Sequence, residues 1–157
     1  MLATAGALIG LERHNEYMRA LAREIASGAI HAFAPAGVIA QVWRGSPRQH
    51  HLDRLLASRG LRVDPMDETT AKAVGVILGQ SEGSDVVNAH VVLLARRSRG
   101  RVFTSDPDDL RRIDPHLDVV PVRAFTGVDP WQAEILTCVR MTFRTHRGFR
   151  PGWRQPV

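Results

Sequence analysis

The sequence predicts an α/β domain built on a central parallel sheet, and three observations carry that prediction. Segments of strand character alternate with segments of helical period from the first residues to about Val122. That order calls for strand–helix–strand units, with helices on both faces of one sheet. At 157 residues the chain is long enough for one domain with a substantial hydrophobic core. With 44% apolar and 24% charged residues it has a globular composition, which excludes disorder along its whole length.

Taken in order, "MLAT" is the first strand candidate. It runs into "AGALIGLERHNEYMRALAREIASG", where Leu8, Ile9, Leu11, Met18, Leu21 and Ile25 recur at helical spacing and Gly28 provides a stop. His14-Asn15 is a candidate break between two helices. "AIHAFAP" reads as a strand closed by Pro35. "AGVIAQVWRG" is a short helix with Pro35 near its start and Gly45 past its end. "PRQHHLDRLLASRG" is another, with Leu52, Leu55 and Leu56 turned inward, and "LRVDP" is a strand. "DETTAKAVGVILGQ" opens on an Asp cap and reads as a helix to about Gly79, followed by the loop "QSEGS". The next helical pattern spans Asp85 to about Ser98 and ends at Gly100. "RVFTS" is a buried strand, "DPDDLRRI" a short helix with proline in its first turn, and "LDVVPV" the last strand. The body is therefore residues 1–122. Residues 123–157 form a basic C-terminal extension, expected to be partly helical ("DPWQAEILTCVRMTF") or disordered ("RTHRGFRPGWRQPV").

Charge is unevenly spread. The formal net charge is +5, and Arg123, Arg140, Arg144, Arg147, Arg150 and Arg154 face only Asp129 and Glu134 in the extension. The extension thus holds most of the excess, and such a balance favours polyanions such as RNA through phosphate contacts. Cys138 is the sole cysteine, so an intrachain disulfide and a cysteine zinc site are excluded, and a reducing, cytoplasmic setting is expected. No apolar run reaches membrane-spanning length, and no basic lead with an apolar run marks a secretion signal.

In an open parallel sheet, ligands bind beyond the carboxyl ends of the strands, so polar residues just after strands are the first to inspect. Thr4 ends the first strand. Asp106 follows "VFTS", with Asp108 and Asp109 close behind. Asp85 and Asn88 are three apart, on one face at the mouth of an otherwise apolar helix.

These residues bring the chain to a family. "SDVVNAHVVLLARRSRGRVFTSDPDDL" resembles the C-terminal half of PIN domains, where an Asp opens an Ala-rich helix, a Gly follows, and an apolar strand ends in Thr-x-Asp. "TAGALIGLER" and "PAGVIAQVWRG" resemble the family's opening strand–helix and its third helix, so the likeness covers roughly residues 2 to 122. PIN domains are small α/β ribonucleases, best known as toxins of bacterial toxin–antitoxin pairs. The resemblance implies a three-layer sandwich and a carboxylate cluster holding Mg²⁺ or Mn²⁺. It also implies RNA as substrate, a small antitoxin protein as partner, and a homodimer. Such a metal activates water and stabilises charge on the phosphate being cut.

Carried over residue by residue, the four catalytic positions fall on Thr4, Gln41, Asn88 and Asp106. Only Asp106 keeps a carboxylate. An amide or hydroxyl lends an oxygen but no negative charge, and losing two charges beside a divalent ion removes on the order of several kcal/mol. The expectation is an impaired metal-dependent endoribonuclease, with Asn88 a former ligand. Asp85 and Asp109, with Asp106, are the candidate compensating metal ligands, Glu12 lies near them in the inferred fold, and Asp85 doubles as a helix N-cap candidate. An active enzyme with such a rebuilt site, and a non-catalytic module binding RNA or antitoxin, are the alternatives. Arg140, Arg144, Arg147 and Arg150 are the candidate RNA contacts, with Phe143, Phe149 and Trp153 available for stacking. His50 and His51 read as a solvated helix face, His90 as a packed or hydrogen-bonded histidine, and Trp43 as core. Cys138 and His146 make no defensible nucleophilic pair.

Overall fold

The computed structural model describes residues 1–12 and 16–122. The extension from Arg123 onward, with Arg140, Arg144, Arg147 and Arg150, lies outside the described residues, as do His14 and Asn15.

Among the described residues, five strands form one all-parallel sheet: β1 (Leu2–Ala3), β2 (Ala32–Pro35), β3 (Leu61–Asp64), β4 (Val102–Thr104) and β5 (Val119–Pro121), in the order β3-β2-β1-β4-β5. The α/β prediction therefore holds. Leu2 sits opposite both Phe33 and Val102, and Ala3 opposite Phe103. Seven α-helices among the described residues connect the strands: α1 (Ala5–Glu12), α2 (Glu16–Ala26), α3 (Ala36–Val42), α4 (His50–Leu56), α5 (Glu68–Ser81), α6 (Val86–Ser98) and α7 (Pro107–Ile113). Parallel neighbours require crossovers, and crossovers are right-handed. The two leading from β1 to β3 thus set α1 to α4 on one face, where α1 packs on α2, α3 and α4. Those leading through β4 to β5 set α5 to α7 on the other, where α6 packs on α5 and α7. The result is a three-layer sandwich.

Its core lies on both sides of the central strands. Leu2, Val102 and Phe103 are buried within the sheet. Leu8, Leu21, Val38 and Leu52 cover one face, while Val74, Val91, Val92 and Leu110 cover the other. On α2, Met18, Leu21 and Ile25 form the buried stripe and Arg23 points to solvent, as the helical period required. Among the described residues, no helix is long and apolar enough to cross a membrane.

Helix ends follow local chemistry. Asp67 caps α5 by accepting from the Thr70 amide at 2.7 Å, and Gly28 takes the left-handed conformation after α2 with φ +79°. Two ends differ from expectation. α5 continues past Gly79 to Ser81, and Glu82 turns left-handed so that its amide and that of Gly83 both reach the Leu78 carbonyl. Likewise α6 ends on a left-handed Arg99 (φ 48°) rather than on Gly100. Gly100 serves a different need, since a Cβ there would come within 2.8 Å of the Leu2 side chain.

Asp114, just past α7, is tied back to α6 by Arg96, whose Nε donates to Oδ2 at 2.8 Å, while the His116 amide donates to Oδ1 at 3.0 Å. Partial burial raises the Asp114 pKa, but the Arg96 and His116 contacts outweigh it and hold it below the ordinary carboxylate value. A depressed folded-state pKa stabilises above the unfolded value of about 3.9 and is lost as pH falls through the folded value. Asp114→Asn should therefore cost up to about 1 kcal/mol at pH 7, Arg96 being half-exposed, and the gap to the unaltered chain should narrow as pH falls below the ordinary carboxylate value of about 3.9. Urea melts at pH 7 and pH 3 measure this; an equal gap at both pH values would count against the ion pair.

Candidate functional site

Strand order reverses direction between β1 and β4, because the chain leaves β1 towards β2 and returns beside β1 as β4. Helices diverge to opposite faces at such a switch point, which makes its carboxyl end the natural ligand crevice. Thr4 follows β1 on one side of it. Thr104, Ser105 and Asp106 stand at the end of β4 on the other.

The crevice is tightly closed at its base. Thr4 is buried, its amide reaches the Phe103 carbonyl at 3.1 Å, and its hydroxyl donates to that same carbonyl at 3.1 Å. Two residues on, an added Cβ at Gly6 would fall 1.9 Å from Ser105 Oγ, so the first turn of α1 lies directly against the β4–α7 loop. Thr104 fixes that loop from within. Its buried hydroxyl accepts from the Asp106 amide at 3.1 Å and lies 3.3 Å from the Asp106 carbonyl. The Asp106 side chain is thereby held at the rim, where its Oδ1 accepts from the Asp109 amide and caps α7.

α6 approaches the same edge. It runs back to the amino end of β4, so its own N-terminus stands at the carboxyl ends of the strands. The first turn meets α3 there, with Val87 3.1 Å from where a Gly37 Cβ would be. Asp85 is the N-cap, its Oδ1 accepting from the Asn88 amide at 2.9 Å, and Asn88 is half-buried one turn in. Gln41 stands four residues after Gly37, on the same side of α3, and is exposed. Thr4, Asp106 and the start of α6 therefore share the carboxyl edge of the sheet.

One pair at this edge was not read from the sequence. His90, fully buried on α6, makes a 2.9 Å hydrogen bond from Nε2 to Oδ2 of Asp64, the last residue of β3. The other ring nitrogen, Nδ1, is buried without a hydrogen-bond partner among the described residues. His90 is thus the hydrogen-bonded histidine expected. Asp64 carried a usable signal, since "LRVD" ends a strand in an acid just as "VFTSD" does.

The side chains present do not suit a divalent cation as they stand. Mg²⁺ wants several oxygens, with one or two carboxylates free to bind it. Thr4 offers an uncharged hydroxyl that donates to a backbone carbonyl, Asp85 and Asp106 each engage one oxygen in a helix cap, and Asp109 pairs with Arg112. Among the described residues no three His, Cys, Asp or Glu side chains gather to hold a metal ion. The Glu12 side chain lies outside the described set.

A further departure concerns Trp43, whose residue type predicts a place in the core. It caps the end of α3 in an extended conformation and is 39% exposed, because the seven-residue helix stops before its next buried position. His50 is exposed, as expected, and its ring lies against that of His51 with centroids 3.8 Å apart. No protein-family model matches the chain, and no curated protein matches it either.

Proposed function

We propose that the chain is a PIN-like domain related to the Mg²⁺-dependent endoribonuclease toxins of toxin–antitoxin systems, with catalysis impaired and RNA affinity retained. One observation supports the impairment above all. At the position where the resemblance calls for a carboxylate after the first strand stands Thr4, a neutral, buried residue whose hydroxyl donates to the Phe103 carbonyl. That group brings no negative charge to the crevice, and its one proton is already committed to the Phe103 carbonyl. Asn88 lacks charge for the same role, and Asp106 alone keeps the acid of the motif. The switch-point placement of Thr4 and Asp106 supports the ancestry, since it puts the two motif ends where a sheet of this kind binds ligands. A small antitoxin, a second copy of the chain and a cytoplasmic setting belong to the same reading.

The expected result is no RNA cleavage above background with Mg²⁺ or Mn²⁺, and metal binding in the millimolar range or weaker, on that order. A labelled-RNA cleavage assay and isothermal titration with Mn²⁺ measure both. Robust cleavage by the unaltered chain, abolished by Asp85→Ala, would replace this reading with an active enzyme whose metal site has been rebuilt.

A further inference from the structure

α5 turns one face away from the rest of the domain. Thr70, Val74 and Ile77 are buried on its inner side, while Lys72, Gly75, Val76 and Gly79 are exposed on its outer side. Val76, at 60%, is the most exposed large apolar side chain among the described residues. The two glycines need a reason. Glycine inside a helix is destabilising relative to alanine, because it gives up more backbone freedom on folding. Every other glycine among the described residues has either a left-handed backbone or a neighbour within 4 Å of an added Cβ. Gly75 and Gly79 have neither, since both lie within the helix with open space beyond them. Nothing inside the domain accounts for their cost, whereas a second helix brought close to the bare backbone does.

The face is complementary to itself. Two copies of α5 crossing antiparallel on a two-fold axis present the same patch to each other. Gly75 meets Gly79 of the second copy when the axis passes level with Ile77, midway between them. The glycines alone set that register, and the charges then fall into place. Lys72 precedes the axis by five residues and Glu82 follows it by five, so each Lys72 stands opposite Glu82 of the other copy. Residues 72, 75, 79 and 82 share one stripe, being three or four apart. The Glu82 side chain is exposed and makes no ion pair among the described residues, and Lys72 is exposed with only Glu68 beside it. Val76 flanks the axis and packs on the backbone of Gly79 of the second copy. A purely acidic or purely basic partner would meet like charge at one end of the stripe.

The geometry points to the outer face of α5 as the contact between two copies of this chain, paired antiparallel through Gly75 and Gly79 with Lys72 set against Glu82 at each end. Nothing in this pairing depends on catalysis, so it stands or falls apart from the nuclease reading. One helix pair of this length lies at the small end of specific interfaces, so a dimer of micromolar strength is expected.

Sedimentation velocity of the full chain across a concentration series tests it. The unaltered chain should pass from monomer to dimer as concentration rises. Gly79→Leu adds a side chain into open space, so the monomer keeps its fold, but it should raise the dimer Kd roughly tenfold or more. Circular dichroism confirms the fold of each variant. Lys72→Glu and Glu82→Lys should each weaken the dimer roughly threefold to tenfold, whereas both changes in one chain reverse the pair and should return most of the affinity. That rescue is specific to the antiparallel register, which a merely structural effect on α5 would not reproduce. A chain that stays monomeric up to about 0.5 mM would overturn the pairing and leave the face to a helix of another protein. A dimer indifferent to Gly79→Leu would place the contact elsewhere and reject this face. Charge variants that weaken the dimer without rescue by the double exchange would reject the register, and the proposal with it.

Discussion

Replacing Thr4 and Asn88 together by aspartate should raise metal-dependent RNA cleavage on the order of a hundredfold or more above that of the unaltered protein. The two changes add carboxylates at one edge of the sheet, where Asp106 already stands at the rim. One or two carboxylates with substrate phosphate are what Mg²⁺ ordinarily needs. Each single change should give less than the pair, because both oxygens would serve one ion. Stability supplies an independent reading. Thr4 is only 6% exposed, so an aspartate there buries a carboxylate and forfeits the hydrogen bond to Phe103. Without metal the double variant should lose about 2–4 kcal/mol. Mn²⁺ at a hundredfold above its Kd should restore about 2.7 kcal/mol, since it binds only the folded chain. Melting curves in EDTA and in Mn²⁺ report this without reference to activity. A folded double variant that neither gains stability from Mn²⁺ nor cleaves RNA would end the PIN reading of the edge.

Gly60→Ala should be among the most damaging single substitutions in the body. Gly60 is buried in the turn from α4 to β3, and its carbonyl accepts from the Ala32 amide at 2.7 Å, joining the turn to β2. An added Cβ would fall 1.8 Å from the Ile25 carbonyl oxygen and 3.1 Å from that of Ile30. Both obstacles are backbone, so no side-chain rotation relieves them. The turn and the end of α2 must separate, at a cost of about 3 kcal/mol, the upper part of the range for overpacking. That corresponds to a melting temperature lower by about 10 °C for a domain of this size. Gly75 gives the contrast. It sits exposed within α5 with nothing within 4 Å of an added methyl, so Gly75→Ala should stabilise by about 1 kcal/mol through helix propensity. Thermal melts of the two variants should therefore move in opposite directions, and a neutral Gly60→Ala would show that the turn opens at little cost.

The sheet was legible because its strands are short apolar runs set between helices with good caps. Asp67 and Asp85 both cap the helices they precede, and both positions could be read from residue type and the pattern that follows. Endings were harder. Glu82 and Arg99 adopt the left-handed conformation although a glycine stands next to each, because the position is set by where the last apolar contact falls. Site residues divide in the same way. Thr4 and Asp106 follow from the rule that strands end at the ligand edge, whereas the Asp64–His90 bond joins positions 26 apart and depends on how α6 crosses the sheet. Trp43 misled for a related reason. Its type suits a core, but the length of α3 decides its fate, and length is fixed by the Gln49 staple beyond it.

The two-residue strand β1 also shapes how the molecule is made. Its partners are β2, about thirty residues on, and β4, about a hundred residues on. On a ribosome adding about 5–20 residues per second, the stretch from Asp64 to Thr104 takes roughly 2–8 s to appear. Throughout that interval only part of the sheet has its strands, and β1 presents an open parallel edge that its eventual neighbour has not yet filled. Long-range parallel pairing of this kind folds slowly and invites intermolecular association. Brevity limits the hazard: an edge of two residues, Leu2 and Ala3, offers few backbone groups for another nascent chain to engage. The most central strand of the domain thus waits longest between its first partner and its second, and its shortness protects the growing polypeptide.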